Sequence, residues 1–198
     1  MKNSKTNEKK NNNGGEEEVL DPKKEIISMI LYLAIVFVAV YVIITYVGQR
    51  TAVNGDSMEP TLSDGNQLIM DKLSYHFRDP ERYEVVIFPC PTDPEVYYIK
   101  RVIGLPGETV QIKNEKVYID GKELTTEVYG IAPIEEPGIA SEPLTLGDDE
   151  YFVLGDNRPV SRDSRYEEVG PISRDTIEGR AWVRIYPFSE MGFVKSNE

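Results

Sequence analysis

The stretch Tyr97-Tyr98-Ile99-Lys100-Arg101-Val102-Ile103 sets two adjacent cations inside an apolar, β-branched run. Val96 precedes it and Leu105-Pro106-Gly107-Glu108 closes it as a turn, so the pattern predicts an extended strand. In an extended chain Val96, Tyr98, Lys100 and Val102 share one face, while Tyr97, Ile99, Arg101 and Ile103 point the other way. Lys100 then has apolar neighbours on its own face, and its nearest cation is directed elsewhere. Partners for such a strand are present: Gln67-Leu68-Ile69-Met70, Tyr83 to Phe88, Thr109 to Ile112, Lys116 to Ile119, Tyr151 to Leu154 and Ala181 to Tyr186 are β-rich runs bounded by Pro, Gly and Asp. Lys113-Asn114-Glu115 joins two of them as a hairpin that ends at Asp120-Gly121. Helical periodicity is absent outside one apolar run, so the residues outside that run read as mainly β.

That apolar run, Ile26 to Val47, is an uncharged stretch of 22 residues. As a helix it would reach about 33 Å, enough to cross a hydrocarbon core about 30 Å thick. A cleavable signal peptide is the competing reading, but the run is too long for one and its leader too extended. Six Lys precede the run, whereas only Arg50 follows it before Lys72. Basic residues stay on the cytoplasmic side, so the amino terminus is expected inside and the remainder outside. The expected organisation is a disordered cytoplasmic tail over 1–24, a transmembrane helix over 25–48 and an extracytoplasmic β-rich domain over 49–198. The tail is rich in Asn, Lys and Glu and has too little apolar surface to fold.

Of the 198 residues, about 150 remain for one folded domain. The net charge of −12 leaves no basic patch for phosphates, which argues against nucleic-acid partners. It gives no electrostatic attraction to an anionic bilayer either, so attachment must be hydrophobic. Cys90 is the single cysteine and His76 the single histidine, so neither a disulfide nor a cysteine or histidine metal cluster can be assembled within the chain. Cys90 reads as a small packed hydrophobe and His76 as a loop residue. Residues 123–150 hold eight acidic side chains and no Lys or Arg, with Pro133, Pro137 and Pro143 among them. They read as an exposed acidic insertion, with a partner-binding surface as the alternative.

The chemistry rests on three segments. A free lysine has a pKa near 10.4 and is roughly 0.04% neutral at pH 7. Burial on an apolar strand face can lower that value by about two to three units, and a neutral amine can take a proton from a hydroxyl. The ordinary explanation of such a lysine is a stem lying over the sheet with its amine in water. Ser57 supplies the hydroxyl: Gly55-Asp56-Ser57-Met58-Glu59-Pro60 frames it in a tight turn whose backbone N–H groups could face a developing oxyanion. Neither a G-x-S-x-G elbow nor an S-x-x-K motif includes Ser57. The third segment, Gly155-Asp156-Asn157-Arg158-Pro159-Val160-Ser161-Arg162-Asp163-Ser164-Arg165, follows a strand and is dense in donors and acceptors. Taken alone each is an ordinary turn or surface feature. Together they read as Ser/Lys acyl transfer beside a membrane.

In order and spacing, Ser57-Met58-Glu59-Pro60-Thr61-Leu62, Lys100 to Glu108 and Gly155 to Arg165 resemble the nucleophile, general-base and carboxy-terminal boxes of the type I signal peptidase family. The resemblance covers about Ile26 to Phe188, apart from the acidic insertion. It implies a mainly β, largely antiparallel β-sheet catalytic domain with an extended substrate cleft, Ser57 as nucleophile and Lys100 as general base, with no metal and no organic cofactor. It further implies that Ser161 hydrogen-bonds the lysine amine, that Asp163 and Arg165 form a supporting ion pair, and that Gly155 permits close backbone approach. The implied substrates are preproteins with amino-terminal signal peptides, bound as an added strand and carrying small residues one and three places before the cut. The implied setting is the lipid bilayer of the cell membrane, in proximity to the secretion translocon. Two positions depart from the family pattern. Some members carry an oxyanion-holding serine where this chain has Gly55, and the carboxy-terminal box often has Asp where this chain has Pro159. Competing classes are a soluble self-cleaving repressor, disfavoured by the span and the acidic charge, and a membrane-tethered binding module without chemistry, disfavoured by the three boxes.

Overall fold

The computed structural model describes residues 22–42, 48–126, 128–130 and 132–196. Most of the expected tail, positions 43–47 of the expected span, and Glu127 and Ile131 of the insertion lie outside the described residues. The chain forms two compact units, one ending at Val40 and the other running from Tyr41 onward.

Helix α1 spans Pro22–Val42, its residues up to Val40 making up the described part of the first unit. Proline at the first helical position loses no hydrogen bond, and Glu25 in the first turn complements the helix dipole. Beyond Glu25 the helix is apolar on every side and its described side chains are exposed. At 21 residues it is about 32 Å long, enough to cross a membrane.

The second unit is mainly β and antiparallel, as the sequence predicts. Its strands are β1 (Gly48–Ala52), β2 (Gln67–Asp71), β3 (Val85–Cys90), β4 (Asp93–Gly104), β5 (Thr109–Lys113), β6 (Lys116–Ile119), β7 (Lys122–Glu123), β8 (Leu144–Thr145), β9 (Glu150–Leu154), β10 (Ile172–Ser173), β11 (Gly179–Tyr186) and β12 (Gly192–Phe193). The larger sheet runs β1-β2-β11-β3-β4-β9-β10 with β12 on β11, and the smaller runs β7-β6-β5-β8. Gly48, placed by the sequence at the end of the span, is the first residue of β1.

Both faces of the larger sheet are covered. Val85 and Ile87 of β3 pack with Met58, Leu62, Leu68 and Met70, while Val86 and Phe88 pack with Val102, Tyr151 and Val153. A strand buried on both faces reads as a continuous apolar run, which is why β3 shows no alternation. The third cluster joins the sheets: Ile103, Phe152 and Leu154 meet Val110, Ile112, Val117 and Ile119. Residues 123–150 are not wholly an exposed insertion. Ile134, Ala140 and Leu146 are buried in this third cluster, while Glu135, Glu136 and Glu142 between them face solvent.

Candidate active site

Register places the lysine. In the β3–β4 pair Val86 lies opposite Lys100 and Phe88 opposite Tyr98, so the amine starts from an apolar face. On the other side of β4, Arg101 lies opposite Leu154, and the chain leaving β9 runs directly into Gly155 and Asp156. The third segment is thereby delivered alongside the lysine. Ser57 opens a single helical turn in which Leu62 N–H donates to Met58 O at 2.9 Å, with Met58 and Leu62 plugged into the core. Asn157 ties that turn to the loop, its N–H donating to Ser57 O at 3.0 Å and its Nδ2 to Asp56 O at 3.1 Å.

The structure brings Ser57 and Lys100 together. Lys100 Nζ lies 2.9 Å from Ser57 Oγ and 3.1 Å from Ile99 O. The lysine is only 3% exposed. Burial lowers its pKa from 10.5 to about 8, against the opposing pull of Asp163, Asp156 and Cys90. The pair opens onto a cleft of about 620 Å³ walled by the chain around Thr51 and Gly55 on one side and by Glu95 to Tyr97 on the other. The first residues of β4, Asp93 to Tyr97, are exposed along this wall.

Around the pair, Asp163 and Arg165 form a buried ion pair, Arg165 Nε to Asp163 Oδ1 at 2.8 Å and Nη2 to Oδ2 at 3.0 Å. Asp163 Oδ2 also accepts from Gly155 N–H at 3.1 Å. Gly155 is where a side chain cannot fit: a Cβ there would lie 2.2 Å from Ser161 Oγ and 2.5 Å from Ser57 O. Gly55 holds the turn at φ +88°, and its N–H donates to Asp64 Oδ1 at 2.7 Å. That N–H is thus committed to the turn rather than to a ligand.

Ser161 corrects the expectation. It is buried against Gly155, but its Oγ makes no hydrogen bond among the described residues. The lysine amine instead directs its hydrogen bonds to Ser57 Oγ and the Ile99 carbonyl.

Sequence reasoning missed the role of Arg101 and Asp156. Arg101 is fully buried and bonds Asp156 through Nε at 2.8 Å and Nη2 at 2.6 Å, Tyr83 O at 2.7 Å and Lys195 O at 2.8 Å. Thr61 Oγ1 donates to Asp156 Oδ2 at 2.6 Å, so this pair also fastens the turn that carries Ser57. The one visible signal was the strand alternation that turned Arg101 away from Lys100. Its partner, 55 residues on, is set by the β4–β9 register.

A family model described as signal peptidase, peptidase S26, matches residues 26–186. Over 156 residues the chain is 41% identical to a probable signal peptidase I-2 of Synechocystis sp., covering 76% of this chain and 68% of that relative. It is 33% identical over 184 residues to signal peptidase IB of Staphylococcus aureus strain COL, covering 85% and 93% of the two chains. A crystal structure of a signal peptidase I from Enterococcus faecalis V583 matches at 35% identity and a TM-score of 0.42, over 52% of this chain and 97% of that one. The family match spans the apolar helix, Ser57, Lys100 and the loop after β9, and this chain belongs to the type I signal peptidases of the peptidase S26 family.

Proposed function

We propose that this serine peptidase removes amino-terminal signal peptides from exported preproteins with Ser57 as nucleophile and Lys100 as general base. The observation that carries the reading is a buried amine 2.9 Å from a serine hydroxyl at the wall of an open cleft. With its pKa near 8, roughly a tenth of Lys100 is neutral at pH 7, against roughly 0.04% for a free lysine. The neutral amine takes the Ser57 proton as Oγ attacks the scissile carbonyl. The resulting ammonium gives that proton to the leaving amine as the C–N bond breaks, leaving an acyl ester on Ser57. The freed amine then takes a proton from water, whose oxygen attacks the ester, and returns the proton to Ser57. Ser161, Asp163, Arg165 and Gly155 are the supporting groups. The ion pair and the Gly155 contact hold the loop against the Ser57 turn, and Ser161 fills the space beside Gly155.

The cleft walls suit an extended peptide laid between two extended segments, pairing through its backbone. Helix α1 is proposed to lie in the lipid bilayer of the cell membrane as a single pass, amino terminus cytoplasmic, catalytic unit outside. The Lys bias before the span supports that orientation. Preproteins emerge where they cross the membrane, which places the enzyme in proximity to the secretion translocon.

The test incubates detergent-solubilised wild type, Ser57→Ala and Lys100→Met with a preprotein and locates the cut by mass spectrometry. Both variants are expected to lose at least about 10³-fold in rate while melting cooperatively. Cleavage retained by Ser57→Ala would end the proposal. The wild-type rate should rise with pH and level off above about 8, because only the neutral amine is the base. A rate still climbing towards pH 10.5 contradicts the role given to Lys100.

A further inference from the structure

The mechanism leaves unused a contact between the acidic segment and the loop after β9. Ile139 N–H donates to Arg165 O at 2.9 Å, and Arg165 Nη1 donates to Glu136 O at 3.3 Å. Between them Gly138 sits at φ +56°, pressed so closely that a Cβ would lie 2.0 Å from Arg165 O and 2.7 Å from its carbonyl carbon. The segment is itself anchored, because Ile134, Ala140 and Leu146 are buried against the smaller sheet. Arg165 passes the contact onward: its guanidinium grips Asp163, Arg158 O and Ser161 O, and Asp163 holds Gly155 N–H beside the Ser57 turn.

We infer that the Glu136–Ile139 turn is a brace for the active site, and that Gly138 is a positioning residue acting through Arg165 on the Asp163–Lys100 geometry. It rests on the reading of Ser57 and Lys100 given above. Gly138 does not line the cleft, so its effect falls on the chemical step rather than on substrate binding. The groups acting on the Lys100 amine are Asp163 and Asp156 from the loop, Cys90 from β3 and the Tyr98 ring 5.0 Å away on its own strand. Loosening Arg165 leaves the Asp163 carboxylate less neutralised, which favours the charged amine.

The experiment compares kcat, KM and the pH–rate profile of Gly138→Ala, Gly138→Asn and Gly121→Ala in the full-length, detergent-solubilised enzyme. Gly121 also has positive φ, at +76°, but open space where its Cβ would go. It therefore carries the left-handed strain without the collision. Asn tolerates the left-handed region better than Ala yet brings the same Cβ. Both Gly138 variants are expected to lose about tenfold to a hundredfold in kcat with KM unchanged, and to move the acidic limb to higher pH. Gly121→Ala should match the wild type. Should the Gly138 variants fail to fold, an ester in place of the Ile139 amide removes one N–H and adds nothing bulky; it should lower kcat severalfold. Wild-type kcat and pH limb in the Gly138 variants, or in a folded ester variant, would overturn the brace. So would a kcat loss without movement of the limb. Ser57→Ala is run alongside: if it cleaves, the catalytic reading fails, whereas an inert Ser57→Ala beside a wild-type Gly138→Ala removes only the brace.

Discussion

In the role proposed for it, Lys100 works against the stability of the fold. Its folded pKa, about 8, is below the unfolded value of 10.5, so the unfolded chain binds the proton more tightly. Below pH 8 both states are protonated and the burial penalty stands in full, about 3 kcal/mol. Between 8 and 10.5 the folded chain is already neutral and its stability rises with pH; above 10.5 the penalty is gone. Lys100→Met, of similar volume and uncharged, should therefore be more stable than the wild type at pH 7 by up to about 3 kcal/mol, less the bond to Ser57. Urea titrations at pH 7 and pH 10 check this, and an advantage that does not shrink at the higher pH would refute it. This much of the residue was legible, because period-two alternation shows which neighbours share its face. The Ser161 contact was not, because the direction of an amine's hydrogen bonds depends on backbone carbonyls that the sequence does not locate.

Among the elements, β4 does the most. One face carries Lys100, the other face carries Arg101, and its neighbour β9 delivers Asp156. The Arg101–Asp156 pair is wholly buried, and removing one partner leaves an unpaired charge in the interior. Asp156→Ala should cost about 3–5 kcal/mol in denaturant unfolding, and the double variant with Arg101→Met should recover part of it. A loss below about 1 kcal/mol would show that the pair is not what holds the Ser57 turn to the loop. The principal strands were readable from β-branched runs and turn residues. Strands β7, β8, β10 and β12 were not, being two residues each, and β1, with Gln49, Arg50 and Thr51, is a strand only because β2 pairs with it. The acidic segment misled because its charge count dominates its composition. The apolar residues that dock it, Ile134, Ala140 and Leu146, are too widely spaced to show any period.

At the scale of the molecule, a helix apolar on all sides is joined in sequence to a β unit in an acidic chain of net charge −12. Such a chain gains little from anionic lipid, so the proposed attachment to the membrane that carries the substrate falls to the helix alone. Removing residues 1–47 should leave cleavage of a soluble peptide unchanged, yet slow processing of a vesicle-inserted preprotein at dilute enzyme by about 10²-fold or more. Equal rates on both substrates would discard the tether. The apolar helix was legible in the sequence as a long uncharged run, since length and lack of charge need no tertiary context. The far end of the chain has its own task. Arg101, in the interior, takes one of its acceptors from the carbonyl of Lys195. The segment that follows β12 is therefore a latch over the charged centre. A proteolytic nick upstream of Lys195 would let water into the middle of the β unit, far along the chain from where the cut was made.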